Sequence, residues 1–330
     1  CDIRPPRLEA AAEMAPSVAR HDSLDTMLSA GGFDVLLVAV PHPLHPDFCI
    51  RGFRAGYHVL CEKPAGIDVR SVREMNRVAR DSGRVFAIMY NQRTNPVYRK
   101  VRDMIRGGEL GGLKRVVWAM TDWYRPQSYH DSSEWRSTWK GEGGGVLVNQ
   151  CPHQLDLWQW IFGLPDRVRA VCHEGRYHDI EVEDDVTAYF EYRDGPTGTF
   201  LTSTGETPGE NRLVVTGDLG RLDVTFDAIV FRRNRVPERV FEATNRVPFG
   251  APEFETIRID VPSGGGPQHA GVLSNVTDAI LGRAPLEFPG EEGIRGLTLS
   301  NSIHLSSWTD GWVSPSSLDE DLFLDLLGRK

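Results

Sequence analysis

Apolar and polar positions follow two different rhythms along the chain, and the change falls near Asn91. Leu8, Ala11 and Ala12, then Leu24, Met27 and Leu28, recur at helical spacing, and Gly31-Gly32 ends the second run. Phe33 to Val40 is a continuous apolar run rich in Val, which predicts a short strand buried on both faces, as in a parallel sheet. Pro41-His42-Pro43-Leu44-His45-Pro46 predicts a rigid loop at its C-terminal end, and a helix follows from Asp47 to Ala55. A second strand, His58 to Cys61, runs into Glu62-Lys63-Pro64. Val69, Val72, Met75 and Ala79 lie on one face of a helix reaching Ser82, and Arg84 to Tyr90 reads as a third strand. Strand and helix alternating through short loops predict a doubly wound α/β domain.

Beyond Asn91, Val97, Val101, Met104 and Ile105 mark a helix, and Lys114 to Met120 a strand. A long aromatic loop, Trp123 to Lys140, precedes Gly141-Glu142-Gly143-Gly144-Gly145 and a helix carrying His153, Asp156, Trp158 and Trp160. Val186 to Tyr192, Gly198 to Ser203, Asn211 to Thr216 and Arg221 to Phe226 read as strands joined by tight turns, hence an antiparallel sheet with one covered face. Helices are expected around Val272 to Ile280 and Ile294 to Ser306, and Arg232 to Glu255 has the least legible pattern. The predicted organisation is α/β: a Rossmann-type parallel domain over 1–92, then an α+β domain with a large open, mainly antiparallel sheet over 93–330.

Composition narrows the function. The 330 residues carry a net charge of −9, which argues against nucleic acid or an anionic membrane as partner. No apolar run approaches the roughly 18 residues a spanning helix needs. The five cysteines form no C-x-x-C pair, so a reducing cytoplasm is expected rather than a disulfide framework.

Ligands of such folds sit in the crevice at the carboxyl ends of the parallel strands, where the loops after Val40 and Cys61 converge. Pro64 ends the strand and turns Lys63 into that crevice, where it can bond a hydroxyl or take part in proton transfer; the bland alternative is a surface lysine. Asn149, His153 and Asp156 fall on one face if their helix begins near Asn149, which would make Asn149 an N-cap. Near a helix start His153 is disfavoured as a cation, so it is suited to accept a proton, although a packed structural histidine would look the same. His42, His45, His153 and Asp156 are too loosely spaced to argue for a metal, and none is expected. Trp123, Tyr124, Tyr129, Trp135 and Trp139, with Arg125 and Arg136, suit sugar recognition as well as a core. Asp2, before a helix, is the kind of acid that bonds an adenosine ribose.

Taken together these segments resemble the Gfo/Idh/MocA oxidoreductase family. The carriers are Val38 to His45, His58 to Pro64, Asn91-Gln92-Arg93-Thr94-Asn95-Pro96, Trp135-Arg136 and Gly143 to Asp156, with Glu62-Lys63-Pro64 the most specific. The resemblance implies NAD, with NADP possible, and a carbohydrate substrate. It also implies a homo-oligomer assembled through the open sheet. Lys63 and His153 would flank the reacting carbon. Asp2, Arg4, Val40, Pro41, His45, Glu62 and Lys63 would hold the cofactor. Lys63, Asn91, Trp135, Arg136, Asn149 and His153 would hold the substrate. Asn149 stands where relatives often have Asp; a neutral amide cannot relay a proton, so it would position a hydroxyl. Relatives begin with a strand, a glycine fingerprint and a helix, about 30 residues in all. This chain opens at Cys1 with no G-x-G-x-x-G before its first strand, so it reads as N-terminally truncated with weakened cofactor binding. The expected activity is NAD(P)-dependent oxidation of a sugar, glycoside or polyol hydroxyl. A glycoside-cleaving enzyme using NAD transiently and a non-catalytic sugar-binding protein are the alternatives.

Overall fold

The computed structural model describes residues 1–330. Its first unit contains α1 (Pro5–Met14), α2 (Leu24–Ala30), β1 (Val35–Val38), α3 (His45–Arg54), β2 (His58–Cys61), α4 (Val69–Ser82) and β3 (Phe86–Ile88). The strands form a parallel sheet in the order β1-β2-β3. Ser23 and Asp68 cap α2 and α4 by accepting the backbone N–H groups of Thr26 and Ser71. The loop expected over Pro41–Pro46 is shorter than predicted. His42–Leu44 make one 3₁₀ turn, and α3 starts at His45 because Pro46 occupies its first turn, where a missing N–H costs nothing. β1 is not buried on both faces as expected. It lies at the sheet edge, and while Leu36 and Val38 are buried, Leu37 is 49% exposed.

The second unit runs through α5 (Pro96–Arg106), β4 (Leu113–Met120), α6 (Gln127–His130), α7 (Trp139–Glu142), α8 (Pro152–Phe162), β5 (Arg167–Glu174), β6 (Glu183–Glu191), β7 (Thr197–Ser203) and β8 (Asn211–Gly217). It continues with β9 (Gly220–Val224), β10 (Ile229–Asn234), α9 (Glu238–Thr244), β11 (Phe254–Ile259), α10 (Gln268–Ile280), α11 (Gly293–Thr309) and α12 (Glu320–Leu327). Eight strands order as β11-β10-β9-β8-β4-β7-β6-β5, antiparallel except for the β4–β7 pair. One face carries the core: Val186, Ala188 and Phe190 of β6 are buried with Trp118, Trp158 and Phe200. The other face is open, with Val171 and Tyr189 exposed.

After the large sheet the chain returns to the small one. Val272 and Val276 of α10 pack with Leu60, Ala87 and Phe288, and the Ile88 N–H donates to the Phe288 carbonyl at 3.1 Å. α11 lies against α4, α8 and β5, and its Asn301 bonds the backbone of Ile67 and Val69. This return fixes α8 beside the end of β2, where the two units meet.

Candidate active site

The carboxyl ends of β1 and β2 open into a cleft of about 300 Å³. Ala39, Val40 and Pro41 form one wall, Glu62 and Lys63 another, and Trp135 reaches over from the second unit. The Lys63–Pro64 bond is cis. His45 lies beneath, with Nδ1 2.6 Å from the Pro64 carbonyl and Nε2 2.8 Å from the Val40 carbonyl; burial lowers its pKa, and the neutral ring has one N–H to give to either strand end. The His42 Nδ1 sits 3.1 Å from the Glu142 carbonyl oxygen. Burial, then the neighbouring His45 and Lys63, lower its pKa to about 3, so it is a neutral donor there.

Lys63 is held from across the junction. Its Nζ donates to the Asn149 carbonyl at 2.7 Å. Burial lowers its pKa, while Glu62 and Glu142 pull the other way. His153 stands in the first turn of α8, one residue after Pro152. The helix begins at Pro152, with Cys151 at the N-cap, and not near Asn149; proline at the first helical position sets the start, so Asn149 is free of the capping role. Neither His153 ring nitrogen bonds another group of the chain, and Nδ1 is buried without a partner. Burial, followed by the charge of Lys63, lowers the His153 pKa to about 3, so the imidazole is neutral at working pH. The amine of one unit is thus near enough to the imidazole of the other for its charge to bear on it.

Arg136 bonds the Tyr129 hydroxyl and lies over the Tyr129 and Trp135 rings. The Asn149 Nδ2 also donates to the Tyr129 hydroxyl, at 3.2 Å. Asn91 is buried beside the site, its Nδ2 donating to Gln268 at 2.9 Å. Arg4 reaches the rim of the cleft, and the Asp2 carboxylate accepts the Arg4 N–H at 2.9 Å. Asp156 shares the helix face of His153 but is not free for the site. Three residues after His153 and also bordering Tyr90, it is buried in a two-pronged pair with Arg93 at 2.6 and 2.7 Å, which occupies its carboxylate. The aromatic loop divides: Trp135 lines the cleft and Tyr129 bonds Asn149, whereas Trp139 is core, packed on His304 and Trp308.

Glu142 and His269 were not singled out from the sequence. Glu142 is fully enclosed, and burial raises its carboxyl pKa to about 7. His269 lies 3.4 Å from Asn91 and its charge bears on His153. A buried acid inside a glycine run was the available signal for the first. The second is 116 residues from His153 in sequence, and nothing local marks it.

The cleft residues fit the nicotinamide riboside end of a dinucleotide. Val40 and Pro41 give an apolar face for the ring, and the Glu62 carboxylate can accept bonds from ribose hydroxyls. A parallel sheet whose second strand ends in a cleft-lining lysine, joined to an α+β unit with a large open sheet, is a two-domain arrangement of the Rossmann class. The chain belongs to the Gfo/Idh/MocA family: residues 1–90 match its NAD-binding Rossmann domain and residues 98–223 its C-terminal domain.

Two relatives place it further. It is 32% identical over 186 residues to trans-1,2-dihydrobenzene-1,2-diol dehydrogenase of Bos taurus, covering 56% of this chain and 52% of that protein. It is 28% identical over 181 residues to 1,5-anhydro-D-fructose reductase of Ensifer adhaerens, covering 54% and 53%. The chain therefore spans about half the length of the curated relatives it matches. Among solved structures, the WlbA dehydrogenase of Bordetella pertussis in complex with NADH and UDP-GlcNAcA superposes with a TM-score of 0.78 at 27% identity. That match covers 95% of this chain and 88% of the other.

Proposed function

We propose that the protein is an NAD(P)-dependent dehydrogenase that oxidises a ring hydroxyl of a sugar, glycoside or polyol. The reading is supported by Lys63, which lines a cleft at the ends of two parallel strands, is held by the Asn149 carbonyl of the other unit, and bears with its charge on the buried imidazole of His153. A nicotinamide against Val40 and Pro41 would supply the two-electron acceptor. His153, neutral and free of partners within the chain, takes the hydroxyl proton. Lys63 offers an N–H to the same oxygen and stabilises its growing negative charge, and the Asn149 carbonyl fixes its direction. Asn149, Arg136 and Trp135 orient the ring, with Asn91 behind them. Asp2 beside Arg4 favours a free ribose hydroxyl, hence NAD over NADP.

The purified chain, mixed with NAD and a panel of sugars, glycosides and polyols, should accumulate reduced nicotinamide. Replacing Lys63 by Met should lower kcat/KM about 100-fold or more. An unchanged rate removes Lys63 from the mechanism, and turnover without net reduced nicotinamide favours transient oxidation in glycoside cleavage instead.

Two wider proposals go with this reading. The open sheet face, with Val171 and Tyr189 exposed and Trp312 beside Tyr189, suits pairing with a second copy, which sedimentation would detect as a dimer or larger species. Five free cysteines, three of them buried, suit the reducing cytoplasm.

A further inference from the structure

Glu142 closes α7, and no role above uses its side chain. Its Oε2 accepts the Ser137 N–H at 2.7 Å, and its Oε1 lies 3.7 Å from the Arg136 guanidinium. Oε1 also accepts a hydrogen bond from Asn149 Nδ2. The Asn149 amide therefore spends its donor end on Glu142 and on the Tyr129 hydroxyl oxygen at 3.2 Å. Its Oδ1 bonds nothing in the chain, and the residue is only partly buried. While Glu142 is ionised, no other orientation is tolerable. A flipped amide would set Oδ1 against a carboxylate oxygen, two acceptors with no proton between them. A protonated Glu142 removes that conflict, because its O–H can donate to Oδ1.

We propose that Glu142 is a positioning residue: its carboxylate locks the Asn149 amide with Oδ1 toward the substrate, and protonation lets the amide turn over and present Nδ2 instead. This rests on reading the Lys63–His153 cleft as the sugar site. In the locked state the site accepts a bond from a substrate hydroxyl; in the released state it can only offer one. The Asn149 backbone carbonyl accepts from Lys63 Nζ, so the residue whose amide Glu142 orients also holds the lysine that faces the reacting oxygen.

The groups around Glu142 come from every element packed on it. Arg136 and Tyr129 face it from the aromatic loop, Lys63 from the end of β2, Glu183 from β6, and His42 from the turn after β1. Burial is the strongest influence and Glu183 adds to it, while the Ser137 N–H and Arg136 oppose both. The result is a carboxyl that titrates at about 7. His42 is neutral in this range and adds no charge.

The test follows the side-chain amide of Asn149 in the ¹⁵N-labelled full chain, assigned by its loss in Asn149→Ser, from about pH 5.5 to 8.5. In the wild-type protein its resonances should move with a midpoint near pH 7, and in Glu142→Gln they should stay still. Glu142→Asp keeps a carboxyl and should keep a titration, which guards against a Gln variant that fails to fold. A flat wild-type amide, or the same movement in the Gln variant, overturns the proposal whether or not any sugar is oxidised. With the best substrate of the panel, Glu142→Gln should raise KM about tenfold, change kcat far less, and lose the inflection of kcat/KM near pH 7. An unchanged KM and pH profile also overturns it. Absence of turnover with every sugar defeats the dehydrogenase reading, while the amide titration still decides the role of Glu142.

Discussion

At the scale of single residues the junction depends on a buried charge pair that takes no part in the chemistry. Arg93 and Asp156 are both almost fully enclosed, and the guanidinium meets both carboxylate oxygens, with Glu292 on its third side at 2.6 Å. Such pairs add little net stability, but removing one partner strands the other charge away from water. Asp156→Asn should therefore lower unfolding free energy by about 3–5 kcal/mol in urea titrations. The double change Arg93→Met, Asp156→Leu should recover most of that loss; if it does not, the pair is not what holds the junction. Asp156 also shows where residue-level reading of the sequence stopped. Its spacing from His153 does put it on a shared helix face, and both border Tyr90, but its carboxylate is taken up by Arg93, a partner that the spacing alone does not announce. Lys63 and His153 were legible because each sits at an element end marked by proline. Glu142 was not, because its meaning comes from Ser137, Asn149 and Arg136, which only the fold brings to it.

Elements with strong local signals match the structure closely. α2 and α4 carry a Ser or Asp cap and a terminal glycine, and the hairpin strands of the large sheet alternate cleanly. β5 was missed because Arg167, Arg169 and Glu174 break its apolar pattern at the sheet edge, and α12 because Glu320, Asp321 and Asp325 mask a short apolar face. β10 and β11 form the other edge, where burial is too shallow to write a pattern: Phe254, Glu255 and Thr256 are all exposed. The glycine run before α8 is the element-level feature with the sharpest consequence. Gly143 has φ +79°, which lets α7 end there. A Cβ at Gly145 would lie 2.0 Å from the Glu183 carbonyl oxygen, a backbone atom at the start of β6 that is held by the Val146 N–H and cannot easily give way. Gly145→Ala should cost at least about 3 kcal/mol of stability, or displace the turn that sets Asn149 and His153. Denaturant unfolding with sugar-binding calorimetry reads both, and a variant normal in each would show the turn to be pliant.

The whole molecule combines these local environments into a dependence on pH. His42 and His153 have pKa values lowered to about 3, and His130 to about 4, in each case first by burial. In the unfolded chain each titrates near the usual histidine value of about 6.5. Their contribution to stability is therefore whole above that value and is lost as pH falls through the folded value. Glu142 works in the opposite sense. Its pKa is raised to about 7, so its contribution is whole below the unfolded value of about 4.5 and is lost as pH rises through 7. Among these four groups, between pH 6.5 and 4.5 three lose stability on acidification and one gains it, a net of two protons taken up by their unfolded forms, and the lowered His45 and His58 act with the three. These four alone contribute a slope on the order of 2–3 kcal/mol per pH unit, which should be seen as a fall in the thermal midpoint from pH 6.5 to 4.5. Glu142→Gln should steepen that fall by removing the opposing group, and His42→Asn should make it shallower. A midpoint that stays level or rises on acidification would mean that these imidazoles reach water in the folded state, and His153 would then not be held neutral for its proton.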